Sequence, residues 1–233
     1  MHRISPDSAA SHMDYRICAA LAGTLYLVVI AAGLSAEFAI RQPLIVPGDA
    51  AATAGNIRAS AGLFRAGFAL DAAMALADVG LAVALFLLFR SVQPGLALAA
   101  MVFRLVQAAV LAMNLLFHTG ALQMALGGGS DTAVLWLVET QAAGYDLGLI
   151  FFGVNCLLMA TLIRRSGFAP RGLGVLVGLA GVVYLTGSFT RFLAPEMLAL
   201  MQPAYVLPMA AEIWFCGWLL WTGFGRTRAA VAA

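Results

Sequence analysis

The sequence predicts an all-α integral membrane bundle of about six transmembrane helices. Three observations lead there. Of the 233 residues, 63% are hydrophobic and only 10% charged, with a mean hydropathy of +0.95; a soluble domain averages about 25% charged residues. Apolar runs of about 20 residues, the length that crosses a hydrocarbon core of about 30 Å, recur along the chain. Short connections rich in Pro and Gly, such as SVQPG at 91–95 and RSGFAPRG at 165–172, separate several of them and stop helices. Where water is absent, a helix satisfies its own backbone, so the runs are read as helices rather than open strands.

The first dozen residues, MHRISPDSAASH, are polar and unlike the rest of the chain. They read as a vector-derived leader over 1–13, preceding one membrane domain over 14–226 and a short tail over 227–233. The six spans run roughly Tyr15–Ile40, Ser60–Phe89, Leu96–His118, Ala133–Ile163, Leu173–Leu193 and Ala204–Phe224. The loop at 41–60 is longer than the turns. Pro47-Gly48 makes a bend there, and Asp49 is a good N-cap for a short surface helix over Ala50–Arg58. GGGS at 127–130 makes a flexible joint.

All the basic residues are arginine, and their placement sets an orientation. Arg16, Arg90, Arg164, Arg165, Arg171, Arg226 and Arg228 fall on one side; Arg41, Arg58 and Arg191 fall on the other. The positive-inside rule puts both termini in the cytoplasm and the chain in a bacterial inner membrane. The net charge of +2 and the lack of a basic patch argue against nucleic acid as a partner. The expected partners are the bilayer, a small-molecule ligand, and a membrane-complex subunit or second copy.

Polar residues inside the spans are the functional candidates, because charge in a bilayer is costly and faces the protein interior. Arg104, Gln107, Asn114 and His118 lie on one stripe of the third span. Depth counting gives a middle level of Asp71, Asp78, Arg104 and Asp146. Asp71 and Asp78, seven apart, share a face, and Arg104 is expected to pair with Asp78. Gln107 and Asn114 are expected to hydrogen-bond to neighbouring helices. An outer level holds Glu37, Arg65, His118, Glu139 and Glu212, with three carboxylates as partners for Arg65. Glu139 and Asp146, again seven apart, give the fourth span one acidic face. Tyr145 lies beside Asp146, and Tyr184, Ser188 and Arg191 share one face of the fifth span. Together these predict a polar cavity opening outward.

Metal and haem are not expected. There is one intramembrane His, no HExxH and no second axial ligand, and the three cysteines are scattered without CxxC spacing. No cofactor is predicted. The leading expectation is binding or passing a small polar or amphiphilic ligand. One alternative is an intramembrane enzyme using His118 with Glu139 or Glu212 as acid and base. Another is an accessory or structural subunit of a larger complex.

Three stretches are distinctive: LIVPGDAAATAGNIRASAGLFRAGF at 44–68, FRLVQAAVLAMNLL at 103–116, and the long segment at 148–189. They resemble a bacterial family of polytopic membrane proteins known only as domain of unknown function 4386, over nearly the whole chain from Tyr15 to about Trp221. The resemblance implies an inner-membrane helical protein and supplies no activity. The matching positions are Pro47, Gly48, Asp49, Asn56, Arg104, Gln107, Asn114, Gly153, Ser166, Gly167 and Pro170. Relatives often show a His after the FFG stretch, where this chain has Asn155, so a His-based metal site or proton relay does not rest on that position.

Overall fold

Among the described residues, six helices carry enough length and apolarity to cross a membrane: Tyr15–Leu44, Ala61–Phe89, Pro94–Leu126, Asp131–Ser166, Arg171–Leu193 and Pro195–Phe224. The structure, a computed structural model, describes residues 6–225, with side chains from Tyr15 onward. Residues 1–5 of the predicted leader and the tail over 227–233 lie outside the described residues. We label the helices α1 (Pro6–Ser35, continued by a π-helical turn Ala36–Arg41 and by Gln42–Leu44), α2 (Ala50–Ala59), α3 (Ala61–Phe89), α4 (Pro94–Leu126), α5 (Asp131–Ser166), α6 (Arg171–Leu193) and α7 (Val206–Phe224). Three single turns over 195–205 join α6 to α7. Among the described residues there is no strand.

Local sequence explains the helix ends. Asp49 adopts extended backbone and accepts a hydrogen bond from the Ala52 amide at 2.9 Å, the N-cap expected for α2. Pro94 occupies the first turn of α4, where its missing N–H costs nothing. Ser130 caps α5; Asp131 sits in its first turn and Arg164 and Arg165 in its last, complementing the helix dipole. Gly167, at φ 72°, ends α5 in the left-handed conformation that favours glycine.

The six long helices form a closed ring. Each of α3 to α6 packs against its neighbours in sequence, and α7 closes against α1. Short connections between antiparallel neighbours enforce that order. At one seam the backbones nearly touch: a Cβ on Gly181 would lie 2.8 Å from the Gly153 carbonyl oxygen, so only glycine lets α5 and α6 approach this closely. The main core, which includes Tyr26, Leu81, Leu85, Phe89, Phe152 and Phe215, fills the ring. A second core of Ile40, Ile57, Phe64, Leu122, Val134 and Val138 seats α2 on one end of the bundle, which we call the α2 end. Large apolar side chains such as Leu76, Leu193 and Trp221 point outward, as lipid-facing positions do. Of the three tryptophans of α7, Trp214 and Trp221 are exposed, whereas Trp218 packs on Phe215 and Phe168.

Candidate functional site

The inside of the ring is polar at two depths. Helices rise about 1.5 Å per residue, so Arg104 on α4, Asp78 on α3 and Tyr26 on α1 lie at one height, about halfway through the bundle. Arg104 and Asp78 form the expected pair: Arg104 Nε and Nη2 both donate to Asp78 Oδ1, at 2.8 and 2.5 Å. The guanidinium carbon also sits 5.3 Å from the Tyr26 ring centroid and 5.0 Å from that of Phe152 on α5. An arginine desolvated between two aromatic faces gains cation–π attraction on top of its ion pair. Beside it a cavity of about 10 Å³, the size of a single water, is lined by Arg104, Asn155 and apolar neighbours. Asn155 donates to the Ala100 carbonyl at 2.7 Å, fastening α5 to α4.

Glu212 belongs to this central level, not to the outer one where residue counting from the loop puts it. It lies twelve residues from the end of α7 at Phe224, as Asp78 lies eleven from the end of α3 at Phe89. It accepts a hydrogen bond from the Tyr184 hydroxyl on α6, and Arg104 and Asp78 are its charged neighbours.

The second level lies toward the α2 end. Asp71 and Asp146, expected mid-membrane, belong here. Arg41 donates to Glu37 and to Asp71, both at 2.8 Å, and Arg191 pairs with Asp146. The π-helical turn at the end of α1 carries both Glu37 and Arg41; such turns often occur at functional positions. His118 is 1% exposed. Its ring stacks on Phe64 with centroids 3.9 Å apart, and its Nε2 faces the Phe64 carbonyl at 2.8 Å. Asn114 donates to the Gln141 carbonyl at 2.6 Å. A Cβ on Gly144 would collide with Asn114 Oδ1, so glycine is required there for Asn114 to sit as it does. Between the two levels Ala32, Met74 and Leu111 form a small apolar plug, with Tyr145 packed against it.

Two expected members of the outer level turn away. Arg65 and Glu139 are exposed, and among the described residues neither joins an ion pair. Phe64, Gly67, Asp71, Met74 and Asp78 make the buried face of α3; Arg65 lies about 100° from Phe64 and so points out. Asp146 is already level with Arg191, two residues before α6 ends. Glu139 stands about 10 Å further along α5, beyond that end. Of the two residues expected to pair with His118 as acid and base, Glu139 is therefore exposed and Glu212 lies at the other level. Among the described residues no ion pair joins His118 to a carboxylate. No group of three or more His, Cys, Asp or Glu is arranged to hold a metal ion among them either.

The family model described as "Domain of unknown function (DUF4386)" matches residues 21–223. The chain belongs to that family. An "Uncharacterized protein" of Archaeoglobus fulgidus is 31% identical over 118 residues, 49% of this chain and 60% of the relative. The match thus spans less than two thirds of that relative's length. No solved structure matches.

Four residues of this DUF4386 member matter more than their sequence signals suggest. Arg41 looks like a loop charge, because the apolar run ends at Ile40; its i, i+4 spacing from Glu37 is the available signal. Arg191 shares one face with Tyr184 and Ser188, but nothing in the spacing assigns it to Asp146. Tyr26 and Phe152, the rings around Arg104, are indistinguishable in sequence from ordinary core aromatics.

Proposed function

We propose that this protein binds a small polar or amphiphilic molecule that enters the bundle at the α2 end and passes toward its centre. The observation that carries this reading is the layered interior: charged and amide side chains from α1, α3, α4, α5 and α6 converge at the α2 end, above an apolar plug and a second polar level. Partial exposure of the Arg41, Glu37 and Arg191 side chains supports an opening on that side. A closed structural core would bury such charges fully or replace them with apolar packing. We also place the chain in a bacterial inner membrane with both termini cytoplasmic. The arginine count supports this, with Arg16, Arg90, Arg164, Arg165 and Arg171 at the end opposite α2.

Cysteine labelling tests both statements. Asn114→Cys, in a Cys18→Ser background, is treated with a membrane-impermeant charged maleimide in intact cells and in inverted vesicles. Labelling from the periplasmic side, at a rate within reach of a Gly128→Cys surface control, is expected. If Asn114→Cys stays unlabelled while Gly128→Cys reacts, the α2 end is sealed and the binding reading fails.

A further inference from the structure

The fold sorts charge by end. Opposite α2 lie Arg16, Arg90, Arg164, Arg165 and Arg171. Among the described side chains, every carboxylate lies elsewhere: Asp78 and Glu212 at the centre, the others toward the α2 end. These arginines come from α1, α3, α5 and α6, so no basic run in the sequence announces the surface that the fold gathers.

Two of the five are engaged by the protein itself. Arg16 Nη2 donates to the Gly225 carbonyl at 2.6 Å, meeting a backbone acceptor just past the end of α7. Arg165 Nη1 donates to Gln93 Oε1 at 2.8 Å. Arg90, Arg164 and Arg171 are exposed, and among the described residues none of them joins an ion pair. Two contacts bring them to one side of this end. The Arg165–Gln93 bond holds the last turn of α5 beside the α3–α4 turn, which begins at Arg90. A Cβ on Gly174 would lie 2.6 Å from Arg164 Cγ, so the stem of Arg164 lies across the first turn of α6. Arg171 opens that turn, and no acidic residue sits in it.

Arginines gathered without a counter-charge raise the local potential and attract an anion. The neighbouring side chains tell which kind. Leu87, Phe168 and Val175, each within four residues of one of these arginines, are exposed. A soluble anion would meet the charge and leave the apolar side chains bare. A phospholipid meets both: its phosphate oxygens suit the forked guanidinium, and its acyl chains suit the apolar side chains beside it.

We propose that Arg90, Arg164 and Arg171 form a binding surface for the headgroups of anionic phospholipids. The surface stands apart from the α2 end and needs no ligand there.

Native mass spectrometry of the full chain tests this, with the protein released from nanodiscs that hold equal amounts of phosphatidylglycerol and phosphatidylcholine with the same acyl chains. Phosphatidylglycerol should be retained in excess, and the excess should shrink as salt rises. Arg90→Gln, Arg164→Gln and Arg171→Gln should each weaken its retention about fivefold, the scale of one basic residue at an anionic surface. Arg65→Gln, which removes an exposed arginine toward α2, should leave it unchanged. Thermal unfolding checks that the variants are folded. Should one not fold, the competition in the unaltered protein still decides: equal retention of the two lipids overturns the proposal. A folded triple variant that keeps the full preference overturns it too, because the lipid then binds elsewhere. Displacement of phosphatidylglycerol by an equal amount of glycerol phosphate overturns it in favour of a soluble anion.

Discussion

The two polar levels use the same residue types to different ends. At the centre, Arg104 meets Asp78 with both residues almost fully buried and two rings closing over the guanidinium. At the α2 end, Arg41 divides itself between Glu37 and Asp71, and the side chains of Arg41 and Glu37 are 18% and 47% exposed. The first arrangement holds helices together. The second leaves part of its charge exposed at the end of the bundle. An intramembrane ion pair is therefore not a functional marker by itself. What distinguishes the α2 end is the partial exposure of its charges, because unmet buried carboxylate oxygens occur at both levels, Asp78 Oδ2 at the centre and Asp71 Oδ1 toward α2.

The contrast between the levels breaks most visibly if the central pair proves dispensable. Arg104→Met leaves Asp78 buried and unpaired, and should cost about 3–5 kcal/mol of stability. The double variant Arg104→Met with Asp78→Leu should recover most of that loss, because apolar packing often replaces a buried pair without penalty. Asp71→Asn, at the α2 end, should cost far less than Arg104→Met. Reversible unfolding in lipid or detergent ranks the three. If Arg104→Met is as mild as Asp71→Asn, the centre is not structural glue and the two levels no longer differ in kind.

The next effect sharpens the contrast from the α2 side. Gly144→Ala places a methyl where Asn114 Oδ1 now sits. Overpacking of this kind costs about 1–3 kcal/mol. It should also displace the side chain at position 114 and slow labelling there when Gly144→Ala is combined with Asn114→Cys. A stable Gly144→Ala protein with unaltered labelling would mean that access to position 114 does not depend on the close packing of α4 on α5 here.

How legible all this is in the sequence depends on the direction of the question. Along each helix, periodicity serves well: the shared face of Asp71 and Asp78, the Arg104 stripe, the Asp49 cap and the six spans follow from spacing and apolar length. Across helices it serves poorly, because depth is counted from span ends that loops obscure. Such counting sets Glu212 too far out, and Asp71 and Asp146 too deep, since α4 and α5 extend several turns past their neighbours at the α2 end. Arg65 and Glu139 share types with the interior residues but lie on the wrong side of a helix or above the end of a neighbour. No one-dimensional pattern carries that information. Nor does any sequence signal reveal that Tyr26 and Phe152 close over Arg104, because the same aromatics at the same spacing would fill any core.

The smallest expected effect concerns the helix that covers this end of the bundle. α2 is seated by Ala54 and Ile57 in the second core, by the Thr53 hydroxyl bonding the Val46 backbone, and by Asn56 donating to the Leu44 carbonyl. At its far end Arg58 reaches Asp131 at the start of α5, at 2.8 Å, with both side chains more than a third exposed. An exposed pair of this kind contributes about 0.2–1 kcal/mol and weakens with salt. Arg58→Ala should therefore shift unfolding by less than about 1 kcal/mol and leave the labelling rate at Asn114→Cys nearly unchanged, because the apolar seat of α2 remains. A marked rise in that rate without loss of stability would give α2 a different part. It would then be a cover latched by one surface ion pair, and access to the α2 end would be set by ionic strength rather than by a fixed opening.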